Sequence, residues 1–263
     1  MIARLSRVVL WLLAGHAIVG GLYWLLLVVP ESNLFAVFAS GILGLLIVFT
    51  VGIVETTAVL LAAPPWTLAG ALRRSLAALP AFLVAALVWL GVSWICGWLE
   101  SAHDNRSGEI TAWFIATFDW TNTGWVHRVI RQTLAVIRYV IGSSLAVSVL
   151  ATGAAVSFAA VLRGRWIRPA LRPARLAAVA VAAFGLIWLP WRWIYWRPGS
   201  LPASSAEIAF VGVKLTIILL LMHLGLAVLY WLARGPSIEA IETIDRPDDS
   251  ARPDDNDRPK GMS

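Results

Sequence analysis

The sequence predicts an all-α, polytopic integral membrane protein: a bundle of six transmembrane helices, with an outer interfacial and amphipathic segment between the third and the fourth. Three observations predict it. Of 263 residues, 59% are hydrophobic and only 14% charged, against roughly 25% charged in a soluble domain. Mean hydropathy is +0.78, and six apolar runs approach or exceed the ~20 residues that cross a bilayer. The arginines fall unevenly between alternate loops, as they do when positive charge orients membrane helices.

The first run covers residues 8–29, behind Arg4 and Arg7. Gly15-His16-Ala17 is a weak small-residue cleavage pattern, but the apolar stretch outlasts a signal-peptide core, so an uncleaved first span is expected. Pro30-Glu31-Ser32-Asn33 makes a tight turn into the second run, 34–63, which Pro64-Pro65 stops. That run is long for one crossing and should tilt or protrude. The third, 76–99, is entered through Arg73-Arg74 and contains Pro80.

A longer loop follows. It starts polar at 101–108, turns apolar and aromatic at 110–118 without the length to span, and then offers Thr121-Asn122-Thr123 as helix-capping oxygens. The next helix carries Arg128, Arg131 and Arg138; the last two are seven apart and share a face. It should run as an amphipathic helix into the fourth span, 139–162. The fifth is 176–196, where Pro190 lacks an N–H and crowds the Leu186 carbonyl, predicting a bend. The sixth is 208–233. Residues 237–263 repeat Arg-Pro-Asp-Asp at Arg246 and Arg252 and lack the apolar residues for a core, which predicts a disordered cytoplasmic tail.

With the N-terminus inside, ten arginines fall in cytoplasmic segments (4, 7, 73, 74, 163, 165, 168, 172, 175, 234) and six outside (106, 128, 131, 138, 192, 197). Both termini are therefore expected in the cytoplasm, with the chain in the plasma (inner) membrane. The net charge of +6 belongs to this orientation signal, and no soluble module exists to read nucleic acid. Cys96 is the single cysteine, which excludes an internal disulfide, a cysteine zinc site and an iron–sulfur cluster.

Ionisable groups within spans are expensive and mark candidate sites. His16, Glu55 and His223 lie on helices one, two and six, each roughly 14–17 Å from the cytoplasmic end at 1.5 Å per residue. They form the sharpest constellation in the chain. Three readings fit it: a polar contact that ties helices, a proton or ion site, or metal or haem ligation. No spacing motif supports the third, and no metal, cofactor or catalytic residue is assigned. Lys214 sits near the outer end of helix six and is expected to snorkel to that interface.

Ser144, Ser148, Thr152, Ala155 and Ala159 follow steps of four, four, three and four, a small-residue stripe suited to close packing. Gly142-Ser143-Ser144-Leu145 and His223-Leu224-Gly225 faintly resemble the rhomboid intramembrane proteases, which pair a serine on helix four with a histidine on helix six. That resemblance would make Ser144 the nucleophile and His223 the base. The chain departs from the pattern at Leu226, where that family has a second glycine, and in its four-residue loop between helices one and two.

Tryptophan is abundant, with 15 residues. The topology places eleven toward the outer half (24, 89, 94, 98, 113, 120, 125, 188, 191, 193 and 196). Beyond belt anchoring, Trp113, Trp120, Trp125, Trp191, Arg192 and Trp193 are candidates for an outer aromatic vestibule, where Arg192 can stack on a ring. Arg163, Arg165, Arg168, Arg172 and Arg175 occupy a proline-interrupted inner loop and are expected to meet anionic headgroups. With no nucleotide motif, acid pair or metal motif, the expected function is a non-catalytic accessory or scaffold subunit contacting lipid, a membrane protein partner or a second copy. The alternative is a small transporter or proton-coupled permease using His16, Glu55 and His223. No internal repeat between the two halves favours the alternative.

Overall fold

The structure is a computed structural model that describes residues 2–29, 33–62, 66–120, 122–196 and 204–234, the last element without side chains at 204–206 and 234. Pro30-Glu31-Ser32, Pro64-Pro65, Thr121, Arg197 and the tail at 237–263 lie outside the described residues. Every regular element among them is helical: α1 (Ile2–Val28), α2 (Leu34–Leu61), α3 (Leu68–Asn105), α4 (Ser107–Phe118), α5 (Gly124–Val136), α6 (Ser143–Ala155), α7 (Phe158–Leu162), α8 (Ile167–Ala170), α9 (Pro173–Ala182), α10 (Leu189–Trp193) and α11 (Ser204–Arg234). Two π-helical segments, Ile137–Gly142 and Ala183–Trp188, join α5 to α6 and α9 to α10.

Six helical stretches are long and apolar enough to cross a membrane: Ile2–Val28, Leu34–Leu61, Leu68–Asn105, Gly124–Ala155, Pro173–Trp193 and Glu207–Ala233. Local chemistry sets several of their ends. The Asn33 side chain accepts from the Ala36 amide (2.9 Å) and starts α2. Thr67 accepts from Gly70 (3.2 Å) and starts α3. Pro80 is accommodated within α3.

The fourth stretch differs from the apolar run at 139–162. Its helix already begins at Gly124 and ends at Ala155, where Val156 leaves helical geometry. Ser157 then caps α7 by accepting from the Ala160 amide. Hydropathy misses this break because α7 is also apolar and buries Ala160 and Val161. In the fifth stretch the π-helical segment directly precedes Pro190. A wider turn there absorbs the hydrogen bond that proline cannot make.

The core is built from small side chains, among them Ala58, Ala71, Ala81, Ala151, Ala154 and Ala227. Small residues let helix backbones approach where no water drives them together. The tightest point joins α3 to α6: a Cβ at Gly153 would overlap that of Ala81. These two helices run antiparallel in a register that electrostatics reinforces. Arg138 pairs with Glu100 (2.9 Å) and Arg131 with Asp104 (2.9 Å), so the shared face of Arg131 and Arg138 meets two acids one turn apart. At the other end Arg74 donates to the carbonyls of Ala154 (3.2 Å) and Val156 (2.9 Å), closing the unpaired end of α6.

Lys214 does not snorkel. It is buried, and its Nζ donates to the carbonyls of Ile194 and Trp196, both at 2.7 Å. The end of α10 has free carbonyls, and a cation on α11 satisfies two of them.

Candidate functional site

His16, Glu55 and His223 come together. Gly15 permits it: a Cβ there would lie 2.5 Å from Val54 Cγ2, so α1 and α2 touch one residue before His16 and Glu55. The Trp11 indole N–H donates to the Val54 carbonyl (2.9 Å) and holds the same contact. From α11, His223 enters with its ring edge toward His16, centroids 5.0 Å apart.

The three side chains form a line. His16 Nε2 stands 3.0 Å from Glu55 Oε1, and His16 Nδ1 stands 3.0 Å from His223 Nε2. His223 Nδ1 donates to the Leu219 carbonyl, 2.6 Å away. At the opposite end the Tyr230 hydroxyl donates to Glu55 Oε2. Tyr230 is a fourth member that the sequence reading missed. The signal was present, because residues 223 and 230 are seven apart and share a face of α11.

Proton bookkeeping follows from the partners. The Leu219 carbonyl can only accept, so His223 carries hydrogen on Nδ1. Each of the three links from Leu219 to Glu55 needs one hydrogen, three in all. Two neutral imidazoles supply two. The third resides on the Glu55 carboxyl or makes one ring an imidazolium. The cluster is therefore neutral as a whole, and one proton can occupy either end of the line by shifting from link to link. Neutrality suits a site where Glu55 and His16 side chains are only 13% and 28% exposed.

The arrangement is a line of hydrogen bonds and not a cage. His16 turns its two nitrogens to opposite partners, so the donors do not converge. Among the described residues no group of three His, Cys, Asp or Glu side chains is arranged to hold a metal ion. A cavity of about 230 Å³ opens between the same three helices, lined by Arg4, Leu5, Val8, Ala62, Ala227 and Trp231. Ala227 and Trp231 lie on either side of Tyr230 in the helix.

Ser144 and His223 do not form a dyad. Ser144 Oγ donates to the Ala170 carbonyl (2.7 Å), and both His223 nitrogens are engaged elsewhere. Ser148 donates to the Ser144 carbonyl (2.6 Å) and Thr152 is buried, so the first part of the stripe packs, whereas Ala155 is half-buried and Ala159 is exposed on α7, beyond the break at Val156.

The outer aromatic candidates fall into two groups. Trp113, Trp120 and Trp125 join Phe114 and Phe118 in one chain of ring contacts, with Phe114 and Trp120 stacked at 5.7 Å. Arg192 lies over Trp188 at 5.7 Å, and among the described residues no ring contact joins Trp191 or Trp193 to the first group. All eleven tryptophans assigned to one side are exposed. In the basic loop Arg163, Arg168 and Arg172 are exposed, while Arg165 is half-buried and Arg175 is buried against the bundle. Arg175 is thus withdrawn from the surface, on the first turns of α9. The sequence reading also missed a second histidine pair: His103 Nε2 and His127 Nδ1 stand 3.0 Å apart, with His127 Nε2 3.0 Å from Thr111 Oγ1.

Compared with known protein families, curated proteins and solved structures, the chain matches none significantly.

Proposed function

We propose that this chain is a proton-coupled membrane carrier, embedded in the plasma membrane with both termini cytoplasmic, and that His16, Glu55, His223 and Tyr230 move its proton. The observation that carries this reading is the line of hydrogen bonds joining three helices with one transferable proton. A contact that merely holds helices together needs one pair; this line extends from Tyr230 to the Leu219 carbonyl with a donor at every link. Chains of histidine and carboxylate side chains within membrane helices are the groups that proton relays use. A cavity lined by Arg4, Leu5, Val8, Ala62, Ala227 and Trp231 lies between the same three helices, toward the Arg4 end.

The test uses purified protein in vesicles loaded with a pH-sensitive dye and challenged with fractions of a cell metabolite extract. Solute-dependent proton entry is expected, and Glu55→Gln abolishes it while leaving the melting temperature within a few degrees. Proton entry that persists in Glu55→Gln, or wild-type vesicles that never respond to solute or to an imposed pH gradient, would sink the reading.

A second reading, an accessory or scaffold subunit, draws on the surface of α1 and α2. Gly20, Gly21, Gly41 and Gly44 each leave open space where a Cβ would sit, and small residues mark faces on which membrane helices pack. Native mass spectrometry of protein extracted from its own membranes separates the two: a second polypeptide or second copy at fixed ratio favours the subunit.

A further inference from the structure

The α4–α5 hairpin has no part in the relay, and its surface has two contrasting ends. Ser107, Thr111, Phe114 and Phe118 follow steps of four, three and four, so they share one face of α4. Hydroxyls occupy its first turns and aromatic rings its last. At the hydroxyl end lies a cavity of about 440 Å³, open to the surface, whose walls include His127, Arg128 and Arg131 of α5. At the other end Phe114 and Phe118 continue into the rings of Trp120 and Trp125. No residue of α4 is buried.

The cavity is electropositive for identifiable reasons. Arg128 donates only a long bond from Nε to the Gly124 carbonyl (3.4 Å), and among the described residues its terminal nitrogens have no acidic partner. Arg131 gives one Nη to Asp104 and keeps its remaining donors. Gly108 and Gly124, also in the lining, stand in the first turns of α4 and α5, and neither helix has a side-chain cap. Thr123 turns its hydroxyl toward Thr111 instead (3.3 Å). Glu109 does not line the cavity.

We propose that this hairpin binds an anionic phospholipid of the adjacent leaflet, its phosphate in the cavity against Arg128 and Arg131 and its glycerol and upper acyl region along the aromatic end. Charge complementarity selects the headgroup, and an amphiphile alone matches a polar cavity continued by an exposed aromatic strip. The proposal rests on the membrane reading but not on the proton reading, which stands or falls with Glu55.

The test is native mass spectrometry of the full chain in detergent, with phosphatidylglycerol or phosphatidylcholine added at equal concentration. Preferential retention of phosphatidylglycerol is expected, weakened about fivefold in Arg128→Gln. Gly108→Leu supplies the second variant: a Cβ at Gly108 meets nothing within 4 Å, so the side chain fills the cavity without displacing the fold, and it should weaken retention while every charge remains. Equal retention of both lipids, or retention unchanged in both variants, overturns the proposal. Displacement of the lipid by millimolar inorganic phosphate assigns the cavity to a free anion and overturns it as well.

Discussion

At the scale of single residues, the hydrogen-bonded line from Leu219 to Tyr230 constrains where hydrogens sit. His223 Nδ1 faces a carbonyl, which can only accept, and so carries a hydrogen, whereas Nε2 faces His16 Nδ1. Site-resolved nitrogen NMR of histidine-labelled protein should show a permanently protonated Nδ1 at His223. In Tyr230→Phe, which removes the donor to Glu55, the His16 nitrogen shifts should move while the His223 tautomer stays. An Nε2–H tautomer at His223 near neutral pH contradicts the geometry. The four histidines of the chain form two pairs, and position along the sequence hints at neither. Residues 16 and 223 are 207 apart, and only their equal depth in two apolar helices suggested a meeting.

Among the elements, helix ends are secured by basic side chains reaching from neighbours. Arg74 closes α6 and Lys214 closes the end of α10. Lys214→Met keeps the stem and deletes both hydrogen bonds. It should destabilise the protein by about 1–3 kcal/mol and raise hydrogen exchange at 193–196, measured in mixed micelles against wild type. Unchanged exchange at those residues would mean that the α10 end does not depend on Lys214. The apolar pattern alone reads Lys214 as a snorkelling residue because it knows nothing of α10's free carbonyls. For the same reason it extends the fourth span through Val156, whose departure from helical geometry leaves the hydropathy high.

Over the whole molecule, packing depends on close backbone approach and is therefore uneven in its tolerance. Gly153→Ala inserts a methyl into Ala81 and should destabilise by about 1–3 kcal/mol. Gly44→Ala points into open space and should be neutral or stabilise by about 0.5–1 kcal/mol, since alanine favours the helix. Equal effects of the two, in denaturant or thermal unfolding, would refute the α3–α6 contact. The helical class and the six long apolar helices were legible from hydropathy and length, because the bilayer imposes both on any chain that crosses it. The ion pairs Arg131–Asp104 and Arg138–Glu100 were half legible: helical spacing puts the arginines on one face, but their partners appear only once α5 lies along α3. The seven-residue spacing from His223 hinted at Tyr230, but nothing in the sequence announced the pairing of His103 with His127 or the cationic cavity beside an aromatic strip. Those depend on which faces of separate helices meet, which close backbone approach decides only in three dimensions, as at glycines 15 and 153 for the α1–α2 and α3–α6 contacts.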